Sequence, residues 1–382
     1  MDGLDSAPLG LIDNIRQVFD GLEDYESMLT SRPIREFLVK NSSYDLVIVE
    51  LFNTDMFLPI VHRFGAPYIA ISPCFAGRPM DLTTRAWNVL YHLAFTGYYD
   101  FVVGPVAQRT VDRIFPDAPP LSKLASNVSL ILVNTHGSLH QPPNSSPRIV
   151  EIGGSHLGHQ DPIERHEIHA WLDKYTSRGT ILFSLGSMFN AGSIPEAKRN
   201  IFRNALKRLP QLVIWKMALP PGENRTDGNI VYSEWVPQEI VLGHESVNLF
   251  IYHGGLLGIL EAVSSGVPIL GLPMFGDMAS NMAAVEASGA GLALPYRNLT
   301  EDLFYDTIVS MINDTRYKNN AKKLASLFND RPVKPLDLAV YWCEYVINHK
   351  GAPHLRKPTL AWYQVWVYRE SSKNQRIMTT TK

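Results

Sequence analysis

The sequence predicts an α/β protein built from two doubly wound units, and three observations carry that expectation. Residues 248–281, NLFIYHGGLLGILEAVSSGVPILGLPMFGDMASN, contain an apolar run from Leu249 to Tyr252, an apolar helix from Leu256 to Ser264 and a second apolar run from Ile269 to Leu272. Strand, helix and strand within about thirty residues predict a parallel βαβ unit. Short apolar runs also alternate with helical patterns in both halves of the chain, which predicts open parallel sheets with covering helices. Between the halves, SHLGHQDPIERHEIHAWLDKY is polar and histidine-rich before turning amphipathic, as expected of a linker leading into a helix.

At 382 residues the chain has length for two domains, with 1–155 as the first, 156–178 as linker and helix, and 179–335 as the second. Composition is that of a globular protein, 45% hydrophobic and 19% charged, and a net charge of −2 gives no electrostatic basis for nucleic-acid binding. Two cysteines cannot make a disulfide framework, and Cys74 and Cys343, each in an apolar context, are expected as buried thiols. No run of apolar residues reaches the roughly eighteen that a membrane-spanning helix needs. MDGLDSAPLG is acidic and lacks the basic start and apolar core of a signal peptide.

Taken in order, residues 1 to about 40 place Leu11, Ile12, Ile15, Val18, Phe19 and Leu22 at helical spacing, predicting a surface helix. Asp45 to Val49 reads as a strand, Asp55 to Phe64 as a helix and Tyr68 to Ile71 as a strand. Residues 81–116 are rich in aromatics, including Trp87, Tyr91, Phe95, Tyr98, Tyr99 and Phe101, which at helical spacing read first as plain core. Val128 to Asn134 and Ile149 to Ile152 complete the strands of the first half. In the second half, strands are expected near 180–185, 212–216, 229–232, 249–252, 269–272 and 291–294, and a last helix near Leu336 to Asn348. His156, His159, His166 and His169 lack the cysteine or carboxylate pattern of a zinc site, so no metal is expected.

Chemistry concentrates in 248–281. His253, Gly254 and Gly255 lie where a strand hands over to a helix, so an anion there meets unpaired N–H groups, the helix dipole and an imidazole. Phosphate is the expected guest. Glu261 falls about two turns into that helix and Asp277 follows the next strand, and acceptor-only carboxylates beside a phosphate suit ribose or sugar hydroxyls.

This stretch resembles the signature of the UDP-glycosyltransferases, in particular the animal UDP-glucuronosyltransferase type. ILFSLGSM (Ile181 to Met188), EWVPQ (Glu234 to Gln238), RPVKPLDLAVYWCEYVINHKGAPHLR (Arg331 to Arg356) and DLVIVELFNTD (Asp45 to Asp55) resemble further blocks, in the family's order. The resemblance implies the GT-B architecture, two facing Rossmann-like domains with a cleft between them, the N-terminal one here incomplete. It also implies that residues 336–382 return to the N-terminal domain as a helix followed by a polar tail. The activity implied is inverting transfer of a glucuronosyl or glucosyl group from a UDP-sugar to a hydroxyl of a small lipophilic acceptor, with the UDP-sugar as substrate and no cofactor.

By the same resemblance, Trp235 stacks on uracil, Gln238 bonds to base or ribose, and Glu261 accepts from the ribose hydroxyls. His253, Gly254 and Gly255 hold the diphosphate, Ser187 adds a phosphate or ribose contact, and Asp277 grips the donor sugar. Two positions depart from the family. Leu257 and Gly258 stand where Asn or Ser is common, and Met278 replaces a Gln that pairs with Asp277 on the sugar. The family's base is a histidine near the end of the first strand, expected before Met1. Its acidic partner corresponds to Glu50, with Asp55 as the alternative, and His62 reads as a helix-surface residue.

Family members also carry a signal peptide and a membrane anchor and reside in the endoplasmic reticulum, with roles in detoxification. Sequons at Asn41, Asn127, Asn144, Asn224, Asn298 and Asn313 fit a lumenal parent, whereas YQVWVYRESSKNQRIMTTTK is polar where an anchor would follow. Aromatics of 81–116 would then help line an acceptor pocket, and related transferases would be possible oligomer partners. Two other classes stay open: a UDP-sugar-binding or regulatory product without turnover, and a sugar-nucleotide epimerase, against which EWVPQ and the KPLDLAVYW block argue.

Overall fold

The computed structural model describes residues 21–40, 42–50, 54–72, 82–140, 146–158, 170–173, 177–186, 194–219 and 225–356. Strands β1 (Val47–Glu50), β2 (Tyr68–Ser72), β3 (Leu130–Val133) and β4 (Ile149–Glu151) form one parallel sheet in chain order. Seven more form a second sheet: β5 (Thr180–Ser184), β6 (Leu212–Lys216), β7 (Thr226–Asp227), β8 (Ile230–Ser233), β9 (Val247–Tyr252), β10 (Ile269–Gly271) and β11 (Gly291–Ala293). Their spatial order is β11-β10-β9-β5-β6-β8-β7, and only the short β7–β8 pair is antiparallel.

The strands are continuous apolar runs because helices cover both faces. TILFS of β5 is buried throughout, and VNLFIY of β9 is buried at all positions but Asn248. One face of the seven-stranded sheet carries α6 (Glu196–Lys207) and α10 (Glu301–Asn313), where Phe183, Phe202, Trp215 and Phe304 interlock. The other carries α8 (Leu256–Ser265), α9 (Met278–Ala287) and α11 (Thr315–Asn329), packed through Leu260, Met282 and Leu324. On the smaller sheet, α2 (Leu58–Arg63), α4 (Gly104–Ile114) and α5 (Leu121–Ser126) cover one face. The other face is covered by α12 (Pro335–Asn348), whose Ala339 and Val346 pack on Ile69, Leu130 and Leu132.

The order of the large sheet sets a switch point. From β5 the chain winds one way to β6 and β8, then crosses to β9 on β5's other side and winds away to β11. Connections after β5 and after β9 therefore leave in opposite directions, and they flank a crevice at the strand ends. The connection after β3 reaches the same region, because Leu139 packs into the core that holds Leu256 and Leu260.

A clamp joins the two sheets. The Arg331 guanidinium donates to the Gly153 carbonyl at 2.7 Å and stacks over Phe328, and the His136 ring meets Phe328 edge-on at 5.1 Å. Gly154, at φ +87°, sits against the same ring.

Several expectations need adjustment. Residues 82–114 form one nearly unbroken rod, α3 (Leu82–Tyr98), a π-helical turn over Tyr99–Val103, and α4. Its aromatics divide: Tyr98 and Tyr99 pack on the small-sheet core, whereas Trp87 is 69% and Phe101 84% exposed. Cys343 is only partly buried at the edge of the α12 contact, while Cys74 and the amphipathic pattern of 1–20 lie outside the described residues. The two-residue β7 has no signal in the hydrophobic pattern. No helix among the described residues is long and apolar enough to cross a membrane.

A Cβ at position 154 would lie 2.9 Å from the Phe328 ring in a backbone conformation that L-residues avoid. Gly154→Ala is expected to destabilise the protein by about 1–3 kcal/mol, read as a lowered urea midpoint.

Candidate functional site

The crevice between β5 and β9 is built on close backbone packing. Register places Ser184 beside Tyr252, so the Leu185-Gly186 exit and the His253-Gly254-Gly255 turn leave the sheet side by side. Gly186, at φ +83°, lets the His253 ring lie where a Cβ would come within 2.5 Å, and a Cβ on Gly255 would be 2.6 Å from His253 Nε2. Two glycines thus fix the imidazole on both sides. Helix α8 begins at Leu256 with Gly255 as N-cap and no side-chain cap, leaving the first-turn N–H groups to be satisfied from the crevice.

One of those groups is met from within. The Gly258 backbone bonds to the Tyr252 hydroxyl, and a Cβ on Gly258 would be 2.5 Å from the Tyr252 ring. Glycine at 258 is therefore a packing requirement of Tyr252. Tyr252 stacks on Phe250 at 4.6 Å and meets His253 at 4.1 Å.

Glu261 is held inside the crevice. Gln238, the first residue of α7 (Gln238–Leu242), donates its amide to Glu261 Oε2 at 2.8 Å. His156 approaches Glu261 Oε1 at 3.8 Å from the turn after β4, and Gly158 N–H donates to Glu239 at 2.7 Å. Burial raises the Glu261 pKa, opposed by the Gln238 hydrogen bond and the Lys216 charge. Trp235 lies on the loop between β8 and α7 and is 52% exposed.

Asp277 precedes α9 and accepts from Asn281 Nδ2 at 2.8 Å, while the same amide donates to the Gly254 carbonyl at 3.1 Å. Asn281 therefore ties the carboxylate to the turn. The charge of Asp277 acts on Tyr252, His253 and His140. Met278 begins α9 and is 4% exposed against Gly254.

The structure thus brings Gln238, His253, Gly254, Gly255, Glu261 and Asp277 to one end of the large sheet, with Trp235 at its border. Ser187 lies outside the described residues, as do His159, His166 and His169. Glu50 and Asp55 belong to the smaller sheet: Glu50 ends β1 exposed, and the Asp55 carboxylate accepts from Tyr99 Oη at 3.0 Å. Burial raises the Asp55 pKa, and His62 is exposed on α2.

Lys216, His140, His156, Asn281 and Tyr252 were not picked out as site residues from sequence. Lys216 had a usable signal, since it is a charge ending an otherwise apolar strand. A cavity of about 570 Å³ lies elsewhere, lined by Gly65, Pro67, Asn127 and Gly351 at the opposite strand ends of the smaller sheet.

Burial lowers the pKa of His136, His140 and His253 to about 4 in each case. Unfolding restores ordinary imidazoles, so between about pH 6.5 and 4 the unfolded chain binds more protons and stability falls as pH falls. The raised carboxyls of Glu261 and Asp55 act in the opposite direction. The urea midpoint is expected to drop between pH 7 and pH 5, and to drop less in His253→Asn.

Comparison with known proteins agrees with this geometry. The family model described as UDP-glucoronosyl and UDP-glucosyl transferase matches residues 64–368. The chain is 35% identical to "UDP-glycosyltransferase UGT5" of Dactylopius coccus, over 87% of this chain and 68% of that protein. It is 32% identical to "UDP-glucuronosyltransferase 1A7" of Rattus norvegicus, over 88% and 67%. Among solved structures, glycosyltransferase VinC in complex with DTDP superposes with a TM-score of 0.64 at 18% identity, covering 91% of this chain and 84% of that one. The kitacinnamycin glycosyltransferase gives 0.62 at 21% identity, covering 88% and 84%, so the fold is GT-B. A switch-point crevice lined by His253, Glu261 and Asp277, in a chain matched by that family model over most of its length, identifies it as a member of the UDP-glucuronosyl and UDP-glucosyl transferase family.

Proposed function

We propose that this chain transfers a hexosyl group, glucuronosyl or glucosyl, from a UDP-sugar to a hydroxyl of a small lipophilic acceptor, with inversion. The observation that carries this is the Glu261 carboxylate, partly buried at the switch point between Gln238 and His156 on the helix that starts at the glycine turn. A partly buried acceptor-only group on the helix whose first-turn N–H groups face the crevice fits a ribose diol next to a diphosphate. Trp235 stacks on the uracil, Gln238 and Glu261 hold the ribose, and His253 with the turn N–H groups takes the diphosphate.

At neutral pH, His253 is an uncharged donor before the nucleotide arrives, because burial outweighs the Asp277 charge. A diphosphate at the turn favours its protonated form, so charge accumulates on the imidazole as UDP departs. Asp277 accepts from donor-sugar hydroxyls, and no cofactor or metal enters. Of the two acidic candidates on the acceptor side, Glu50 is the better partner for a base histidine, since Tyr99 already engages Asp55. Exposed Trp87, Tyr91 and Phe101 on the 82–114 rod supply apolar surface for an acceptor. The exposed sequon residues Asn127, Asn298 and Asn313 fit a lumenal location in the endoplasmic reticulum.

Calorimetric titration with UDP tests the donor site. Wild type is expected to bind with micromolar affinity, and Trp235→Ala and Glu261→Ala to weaken it at least tenfold each, about 1.4 kcal/mol. Absence of heat from a folded sample would sink the assignment. Binding without transfer to any hydroxyl acceptor would instead mark a nucleotide-binding product of the family.

A further inference from the structure

Among the described residues, His140 is the polar side chain least accounted for by the folded protein. It is 2% exposed, and neither Nδ1 nor Nε2 has a hydrogen-bond partner. Its backbone N–H closes a turn onto the His136 carbonyl at 3.0 Å, and Leu139 anchors that turn in the core beside Leu256. The turn follows β3 of the smaller sheet, yet it is inserted against the larger one, within reach of the Asp277 charge.

Buried polar atoms are almost always paired, and a desolvated imidazole with two unmet nitrogens gives the free protein nothing in return. Such a group is explained if a ligand supplies the partners. Burial keeps His140 uncharged near pH 7, so it offers one N–H donor and one acceptor. That pair matches a hydroxyl, which donates and accepts, better than a phosphate oxygen, which only accepts. Asp277 is an acceptor whose charge reaches the same ring, and Met278 provides no hydrogen bond.

We propose that His140 is a donor-sugar contact: its imidazole, reaching across from the smaller sheet, hydrogen-bonds a hydroxyl of the transferred hexose together with Asp277, in the role that Met278 cannot fill. This rests on the UDP-sugar reading of the crevice and adds a specificity-determining residue to it. The sugar thereby contacts elements of both sheets, so that the intact sugar nucleotide, and not UDP alone, engages the turn after β3.

The test is calorimetric titration of wild type, His140→Leu and His140→Gln with UDP, UDP-glucose and UDP-glucuronate, beside thermal unfolding without ligand. His140→Leu is expected to melt at the same temperature as wild type or a few degrees higher, since it removes two unmet polar atoms. It keeps its affinity for UDP within about twofold and loses about tenfold for whichever UDP-sugar wild type prefers. His140→Gln, with both a donor and an acceptor, recovers part of that loss. Equal weakening for UDP and UDP-sugar, unchanged affinity for all three, or a lowered melting temperature with binding intact would each overturn the proposal. Wild type that binds no UDP at all overturns the donor-site reading beneath it, which the UDP arm reports separately.

Discussion

The β5–β9 pairing is the constraint on which the site depends. Five residues of β5 lie along β9 with Ser184 beside Tyr252, and that register brings the two strand exits together. Shifting it by one residue would turn each strand's side chains to the opposite face and separate Gly186 from His253. The packing there is of backbone against ring, with glycine at 186 and 255 on either side of the imidazole. Such contacts tolerate no Cβ, so the orientation of His253 is set by the sheet itself and not by a mobile loop.

Around that seam, charge is distributed by burial. Asp277 is tied to the turn through Asn281, Glu261 is steadied by Gln238 and His156, and Lys216 acts on both Glu261 and His253. Desolvation opposes ionisation at each imidazole and at Glu261. The crevice is thus lined by polar groups that burial keeps neutral or only partly compensated. Binding energy is then available for polar recognition, because the cost of removing these groups from water was met when the chain folded.

The second organising contact is the clamp at Phe328. Arg331 stacks on its face, His136 meets its edge, and Gly154 accepts its approach on a third side. Through this ring the end of α11 holds the turns after β3 and β4, and those turns carry His140 and His156 to the crevice. Helix α12 then returns to the smaller sheet, burying Val346 against it. The donor crevice is consequently a joint product of both sheets, although most of its residues belong to one.

The sequence by itself determined the parallel strands, because runs such as TILFS and LVIWK have no polar face and need cover on both sides. It determined the glycine turn and its two carboxylates as well, since all three lie within one βαβ unit whose local pattern places them at the same strand ends. It could not reveal that Trp87 and Phe101 stay exposed, because an aromatic at helical spacing looks the same whether its rod is covered or bare. Nor could it bring His140, His156 and Lys216 to the crevice, for each arrives on a different element. Their meeting with Asp277 and Glu261 depends on strand order and on the docking of one sheet's turns upon the other. Periodicity records which face of an element is buried; it carries no record of which distant loop that face will meet, and tertiary packing alone decided it.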